Sequence, residues 1–432
     1  MGTAQPTAPP TSDRERSRGI RRDGMLAKGR RALRALVTRS IEFESDSIPY
    51  RLHDLPLRKV VNWIRVEAGI TLGQRRPWGY PTHFQIEPTT HCNLRCPLCP
   101  VTEGMDRPSE HMDPHMFRKL VDETGDYALI ALLWDWGEPF VHPQIYEMIS
   151  YAKRKNMALV CSTNGHTFAN EDNARRVVES GLDTVIFAVD GITQESYERY
   201  RYPGNLERVL RGIRNVVEQR DALGSKTPLV VFRFIVMRQN EHEIPELKRL
   251  VYDLGVDVLS LKSLNPYAND VYHENRQQRQ DDYHAFLPEN PAYHRFRYRE
   301  RDGVLERVPR TPPCKNLWNC PTVHYDGRIV PCTYDYNETH LHGDLSRQSF
   351  EQIWHGDSYA RMRDQFLENW KELPACRHCS YAYEGGSCWN ETIVGTFYHD
   401  RVAERFDRPE APGRVARLTR NGRGTTQEYA TS

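Results

Sequence analysis

Six short apolar runs, each followed by a segment whose apolar residues recur at helical spacing, constrain the fold of this chain more than any other feature. The runs are HFQIEP, ALIALLWDW, ALVCS, TVIFAVD, LVVFRFIVM and DVLSLKS, all between residues 81 and 265. Runs rich in Val, Ile, Leu and Phe, with little polar alternation, are what strands covered on both faces require. Segments such as LERVLRGIRNVVEQR and IPELKRLVYDLG supply the covering helices. Six β/α units follow, which can half-close into a barrel or wind into an open sheet. A barrel gathers its chemistry at the C-terminal ends of the strands, an open sheet at one switch point. Here TTHCNLRCPLC, GEP, STNG, DG and RQN follow successive runs, so polar and glycine-bearing loops collect along one rim.

At 432 residues the chain accommodates a large domain and a smaller one. A formal net charge of +1 offers no whole-molecule argument for nucleic acid or membrane as partner. No run approaches the ~20 apolar residues of a membrane span, and the arginine-rich N-terminus is not followed by the apolar stretch of a secretory signal, so a cytoplasmic protein is expected. Residues 1–45 read as a disordered, then basic helical segment, with a membrane-surface or nucleic-acid helix weighed against a solvated helix docked on the main domain. A helical extension (46–80), the six β/α units (81–265), a polar, tyrosine-rich connector (266–312), a small cysteine-bearing region (313–395) and a flexible tail (396–432) complete the expected organisation.

Nine of the ten cysteines fall into two groups, which points to metal ligation in a reducing compartment rather than to disulfides. The first group, Cys92, Cys96 and Cys99, lies in one loop directly after a strand. Three thiolates on a short loop can hold three corners of a [4Fe-4S] cube and leave the fourth iron open to the amino and carboxylate groups of S-adenosylmethionine (SAM). A zinc site completed by His91 is the alternative that spacing alone allows.

The sequence His91-Cys92-Asn93-Leu94-Arg95-Cys96-Pro97-Leu98-Cys99 behind a strand closely resembles the signature of the radical SAM superfamily, and the six units resemble its partial (β/α)6 barrel. The resemblance spans residues 80–395 and implies further roles. Gly137, Glu138 and Pro139 match the motif that receives the SAM amino group, with Trp136 where its first glycine usually stands. Ser162 and Asn164 fall where they can line the SAM pocket, although a simple turn reads equally well. Asp190 belongs to the turn after the fourth strand, where Ala188 replaces a serine that often contacts the ribose. Arg201 stands where relatives carry an arginine for the SAM carboxylate, and a surface arginine is the plain alternative.

The second group comprises Cys314, Cys320, Cys332, Cys376, Cys379 and Cys388. Two pairs brought together give four thiolates, enough for zinc or for a [4Fe-4S] cluster. CPTVHYDGRIVPCTYD, SFEQIWHGDSYARMRDQF and CRHC resemble the small α+β SPASM and Twitch domains that follow radical SAM barrels and hold auxiliary clusters. The single-cluster pattern assigns Cys314, Cys332, Cys376 and Cys379 as ligands. Cys320 and Cys388 remain as buried thiols or as ligands of a further cluster. Cys161, outside both groups, reads as a core cysteine, with hydrogen-atom donation to a substrate radical as the other option.

The resemblance implies an iron–sulfur oxidoreductase that splits SAM into methionine and a 5′-deoxyadenosyl radical, which takes hydrogen from a substrate C–H bond. A fully ligated second cluster can accept the remaining electron, so dehydrogenation of a small polyol, aminocyclitol or sugar is the first expectation. A peptide or protein maturase is the alternative, and no peptide-recognition module is evident ahead of the barrel. Epimerisation would need a hydrogen donor such as Cys161 or Cys320. A zinc- or cluster-binding nucleic-acid module is the non-enzymatic reading. A flavodoxin- or ferredoxin-type electron donor is implied, and no nucleic-acid partner.

Overall fold

The computed structural model describes residues 13–265, 284–301, 304–312, 314–386, 393–406 and 415–419. Much of the connector, Cys388, and the ends of the N-terminal segment and of the tail lie outside these residues. An N-terminal helix α1 (Asp13–Thr38) leads into strands β1 (Ile41–Ser45) and β2 (Ile48–Leu52) and helix α2 (Leu57–Leu72). The six apolar runs then form β3 (His83–Ile86), β4 (Ile130–Leu133), β5 (Ala158–Thr163), β6 (Thr184–Ala188), β7 (Leu229–Val236) and β8 (Val258–Ser263). These six are parallel and adjacent in chain order, the sheet of a partial (β/α)6 barrel.

Alternation along each strand divides the core into two layers. Leu159 and Cys161 of β5 pack with helix residues such as Phe117, Ile149 and Val177, whereas Ala158 and Val160 pack with Ile130, Ile186, Val231 and Val258 on the concave face. The covering helices start where the sequence supplies caps. Asp113, Asn170 and Asn205 each accept a backbone N–H from the first turn of the helix that follows.

The expected boundaries shift in two places. Residues 46–80 are not helical throughout, because Asp46 and Ser47, at φ of 55° and 59°, form a two-residue turn that closes β1 on β2. This hairpin enters the concave face, where Ile48 joins the apolar cluster and Tyr50 Oη donates to Thr184 Oγ1 at 3.1 Å. At the other end, residues expected to open a tail form β14 (Ile393–His399), antiparallel to β8, and the helix Asp400–Phe406. Apolar Phe397, Tyr398, Val402 and Ala403 are buried, so this stretch has a core to join.

The smaller region is continuous with the barrel. Strands β9 (Tyr298–Arg301) and β10 (Val304–Arg307) form a separate hairpin. Strand β11 (Thr322–Val323) pairs in parallel with β3, and β12 (Arg328–Val330) and β13 (Gly343–Asp344) extend the sheet beyond it. Arg363, fully buried on the helix Asp357–Asn369, locks this edge. Its guanidinium lies 4.3 Å from the Trp354 ring and donates to the carbonyls of Leu317, Arg75 and Trp354.

Candidate active site

The loop after β3 carries the first cysteine group and is fastened on both sides. Thr90 N–H donates to Glu110 O at 3.0 Å, Met112 N–H to Pro88 O at 2.9 Å, and Glu138 N–H to His91 O at 2.8 Å. Cys92, Cys96 and Cys99 all face one cavity at the C-terminal rim of the strands, which encloses about 1320 Å³ including its open mouth. Burial pushes the Cys92 thiol up to about 11 and Cys99 to about 12; it also raises Cys96, opposed by the Arg201 guanidinium. Three buried thiols that resist ionisation are the chemistry a cationic iron centre relieves, since ligation stabilises thiolate.

The Gly137-Glu138-Pro139 turn packs directly on this loop. A Cβ at Gly137, whose φ is +140°, would lie 2.2 Å from Thr89 O. Gly137→Ala is therefore expected to cost about 3 kcal/mol through backbone displacement, read as an earlier denaturant midpoint; an unchanged midpoint would show that the turn is plastic. The Glu138 carboxylate, 2% exposed, accepts from Thr163 Oγ1 and the Asn164 N–H, both at 2.7 Å. Burial raises its carboxyl to about 7, against those hydrogen bonds. Asn164 Nδ2 in turn donates to Asn93 Oδ1 at 2.7 Å, joining the rim of β5 to the cysteine loop.

The other expected residues divide. Gly137, Glu138, Ser162, Asn164 and Arg201 line the cavity, and Pro139 and Asp190 are outside its lining. Asp190 is fully buried, accepting from Arg201 Nε at 2.6 Å and from the Ile235 N–H at 2.7 Å. It holds Arg201 with its guanidinium 3.9 Å from Cys96 Sγ. Cys161 packs in the helix-facing layer, so the core reading holds and hydrogen donation from it does not.

Four cavity residues carry charge that the sequence reading did not pick out. Asp135, in the bend before Gly137, accepts from Thr333 Oγ1 and keeps Oδ2 without a partner among the described residues. Burial holds its carboxyl well above the usual range. Arg233 on β7, Lys262 on β8 and Arg295 are buried in the same cavity. A cation within a largely apolar strand was the available signal: LVVFRFIVM contains Arg233 and DVLSLKS contains Lys262.

Cys314, Cys332, Cys376 and Cys379 line a second cavity, of about 510 Å³, walled by Leu317, Met362, Phe366 and Ala375. Burial raises Cys332 well above the usual thiol range, and neighbouring Cys379, Cys376 and Cys314 raise it further. Cys320 is outside this lining. Among the described residues no group of three or more His, Cys, Asp or Glu closes on a metal ion. The four thiols line one chamber, and four thiolates are the ligand set of a complete iron–sulfur cluster.

A rim of three cysteines on a partial barrel, backed by a second cysteine chamber, defines an iron–sulfur enzyme. Residues 86–251 match the radical SAM superfamily and residues 314–380 the iron–sulfur cluster-binding SPASM domain, and the chain belongs to this radical SAM/SPASM family. Its cofactors are therefore a [4Fe-4S] cluster with SAM and an auxiliary iron–sulfur cluster. The tungsten-containing aldehyde ferredoxin oxidoreductase cofactor-modifying protein of Pyrococcus furiosus is 26% identical over 330 residues, 69% of this chain and 87% of that protein. PqqA peptide cyclase of Gluconobacter oxydans is 23% identical over 77% of this chain and 96% of its own. The AdoMet-dependent heme synthase of Nitratidesulfovibrio vulgaris is 24% identical over 72% of this chain and 88% of its own. Among solved structures, BtrN in complex with AdoMet and 2-DOIA superposes with a TM-score of 0.43 at 15% identity, covering 73% of this chain and 98% of BtrN. No helix among the described residues is long and apolar enough to cross a membrane.

Proposed function

We propose that this enzyme dehydrogenates a small polar substrate, a polyol, aminocyclitol or sugar, between Cys92, Cys96 and Cys99 on one side and Cys314, Cys332, Cys376 and Cys379 on the other. The first three cysteines hold the SAM-binding cluster and the other four the auxiliary one. Loaded, the two groups supply a hydrogen-abstracting radical and an acceptor for the remaining electron.

The observation that carries the reading is the shared wall of the two cavities. Tyr334 lines both, and Thr333, next to Cys332, receives Trp136 Nε1 at its carbonyl at 2.9 Å while its hydroxyl donates to Asp135. A substrate at this wall lies beside the second chamber, as electron transfer out of it requires. Asp135, which lines the cavity and keeps Oδ2 without a partner among the described residues, is the group assigned to take the hydroxyl proton. Arg201, steadied by Asp190, meets the SAM carboxylate, while Glu138 and the rim of β5 enclose the amino end. Electrons arrive from a flavodoxin- or ferredoxin-type donor.

The test is anaerobic turnover of the reconstituted protein with SAM, dithionite and a panel of polyols, aminocyclitols and sugars. A product lighter by two hydrogens is expected, with one 5′-deoxyadenosine per product. Asp135→Asn should lower product formation roughly 100-fold or more while 5′-deoxyadenosine still forms. Normal turnover by that variant would remove Asp135 from the mechanism. The second reading, a peptide maturase, is supported by the likeness to PqqA peptide cyclase over most of both chains. It wins if only a peptide raises 5′-deoxyadenosine above background.

A further inference from the structure

The concave face changes character along its length. Val231 and Val258 lie in its apolar layer, but two residues further on β7 stands Arg233, and four further on β8 stands Lys262. Both line the cavity that the first cysteine group faces. They are 6% and 4% exposed, far too buried for water to compensate their charge.

Their shared counter-ion comes from the other end of the barrel. Asp46, at the tip of the inserted hairpin and 7% exposed, bonds Arg233 Nη2 through one carboxylate oxygen and Lys262 Nζ through the other. Arg295, 4% exposed, is a further cation acting on Lys262. Of the cavity's remaining carboxyls, Asp135 accepts from Thr333 through Oδ1 and Glu138 from Thr163 and Asn164, and neither is bonded to the two cations. Arg233 Nη1 reaches only Ser162 Oγ, at 3.5 Å, and Nε has no partner among the described residues. A guanidinium fixed by Asp46 at Nη2 and held at Nη1 only by a long contact to Ser162, in a residue that lines the cavity, can receive an oxyanion at Nη1.

We propose that the substrate carries an anionic group, a carboxylate or a phosphate, which docks on Arg233 and Lys262, and that Asp46 is the positioning residue that holds both cations at the cavity floor. This rests on the small-polyol reading and narrows it to acidic or phosphorylated polyols. The hairpin thereby acquires a role beyond closing the barrel, since its tip sets the spacing of the two cations. The anion anchors one end of the substrate, and its hydroxyl-bearing carbons extend toward the cysteine rim.

The probes are D-gluconate, D-glucitol 6-phosphate, neutral D-glucitol and succinate, titrated calorimetrically into the reconstituted full-length protein with SAM bound. At least one anionic polyol should bind tenfold or more tighter than glucitol, and which one binds identifies the group as carboxylate or phosphate. Arg233→Gln should remove that advantage, and Arg233→Lys should retain part of it. Asp46→Asn, which loosens both cations, should weaken anion binding several-fold, and Asp46→Glu should restore part of it, a rescue that a purely structural role does not produce. Equal affinity for glucitol and the anions, absence of anion binding, or full anion binding by Arg233→Gln would each overturn the proposal. Succinate bound as tightly as gluconate, with the same dependence on Arg233, would support the anion site and count against the polyol reading alone. Circular dichroism checks the fold of Arg233→Gln, and Arg233→Lys and Asp46→Asn carry the test if that variant is unfolded.

Discussion

Cys96→Ser is expected to bring formation of 5′-deoxyadenosine down to the level of protein-free controls. Cys96 is the central sulfur of the rim loop, and an oxygen in its place is a poor ligand for iron. Iron bound per chain should fall from about eight to about four. Cys376→Ser is the matching control. It should also lose about four irons, because Cys376 faces the other chamber with Cys314, Cys332 and Cys379, yet it should still release 5′-deoxyadenosine without dehydrogenated product. Continued SAM cleavage by Cys96→Ser would sink the assignment of the rim loop.

Asp190→Ala should be the most damaging change outside the cysteines. The pair it breaks is buried on both sides, with Asp190 at 0% and the Arg201 side chain at 16% exposure. Removing one partner leaves the guanidinium among Tyr197, Tyr200 and Cys96 with no carboxylate bonded to it, Glu138 acting on it only through space. The expected cost is about 3–5 kcal/mol, a fall in melting temperature on the order of 5 °C for a chain of this length. SAM affinity should drop with it, since Arg201 is then free to leave the rim. Adding Arg201→Met should recover part of the stability and none of the affinity, which separates the two roles. A stable Asp190→Ala protein with normal SAM binding would show that the buried pair matters to neither.

The expected SAM pocket was legible to different depths at different residues. Gly137, Glu138 and Asn164 could be placed on the cavity because each lies just past a strand whose end the apolar pattern marks, and Ser162 because it stands at the end of β5, whereas Arg201, separated from β6 by the helix Gln194–Glu198, was placed by the family resemblance. Asp190 obeys the same logic and still turns away, because the Ile235 N–H and Arg201 occupy its oxygens. Position after a strand specifies a neighbourhood; only neighbouring strands decide the direction of a side chain within it. The hairpin was missed for a related reason. IEFESDSIPYRL carries a weak alternation that becomes a strand pair only when the concave face receives Ile48 and Tyr50.

By itself the sequence determined the six parallel strands, the rim on which chemistry gathers, and the two cysteine groups, because apolar period and ligand spacing are local properties of a chain. Tertiary structure alone decided what lies between those groups. Asp46 meets Arg233 and Lys262 from 187 and 216 residues away, and Thr333 meets Asp135 across 198. Contacts of that range leave no periodic trace, since they arise from closing the sheet on a hairpin at one end and on the second cysteine chamber at the other.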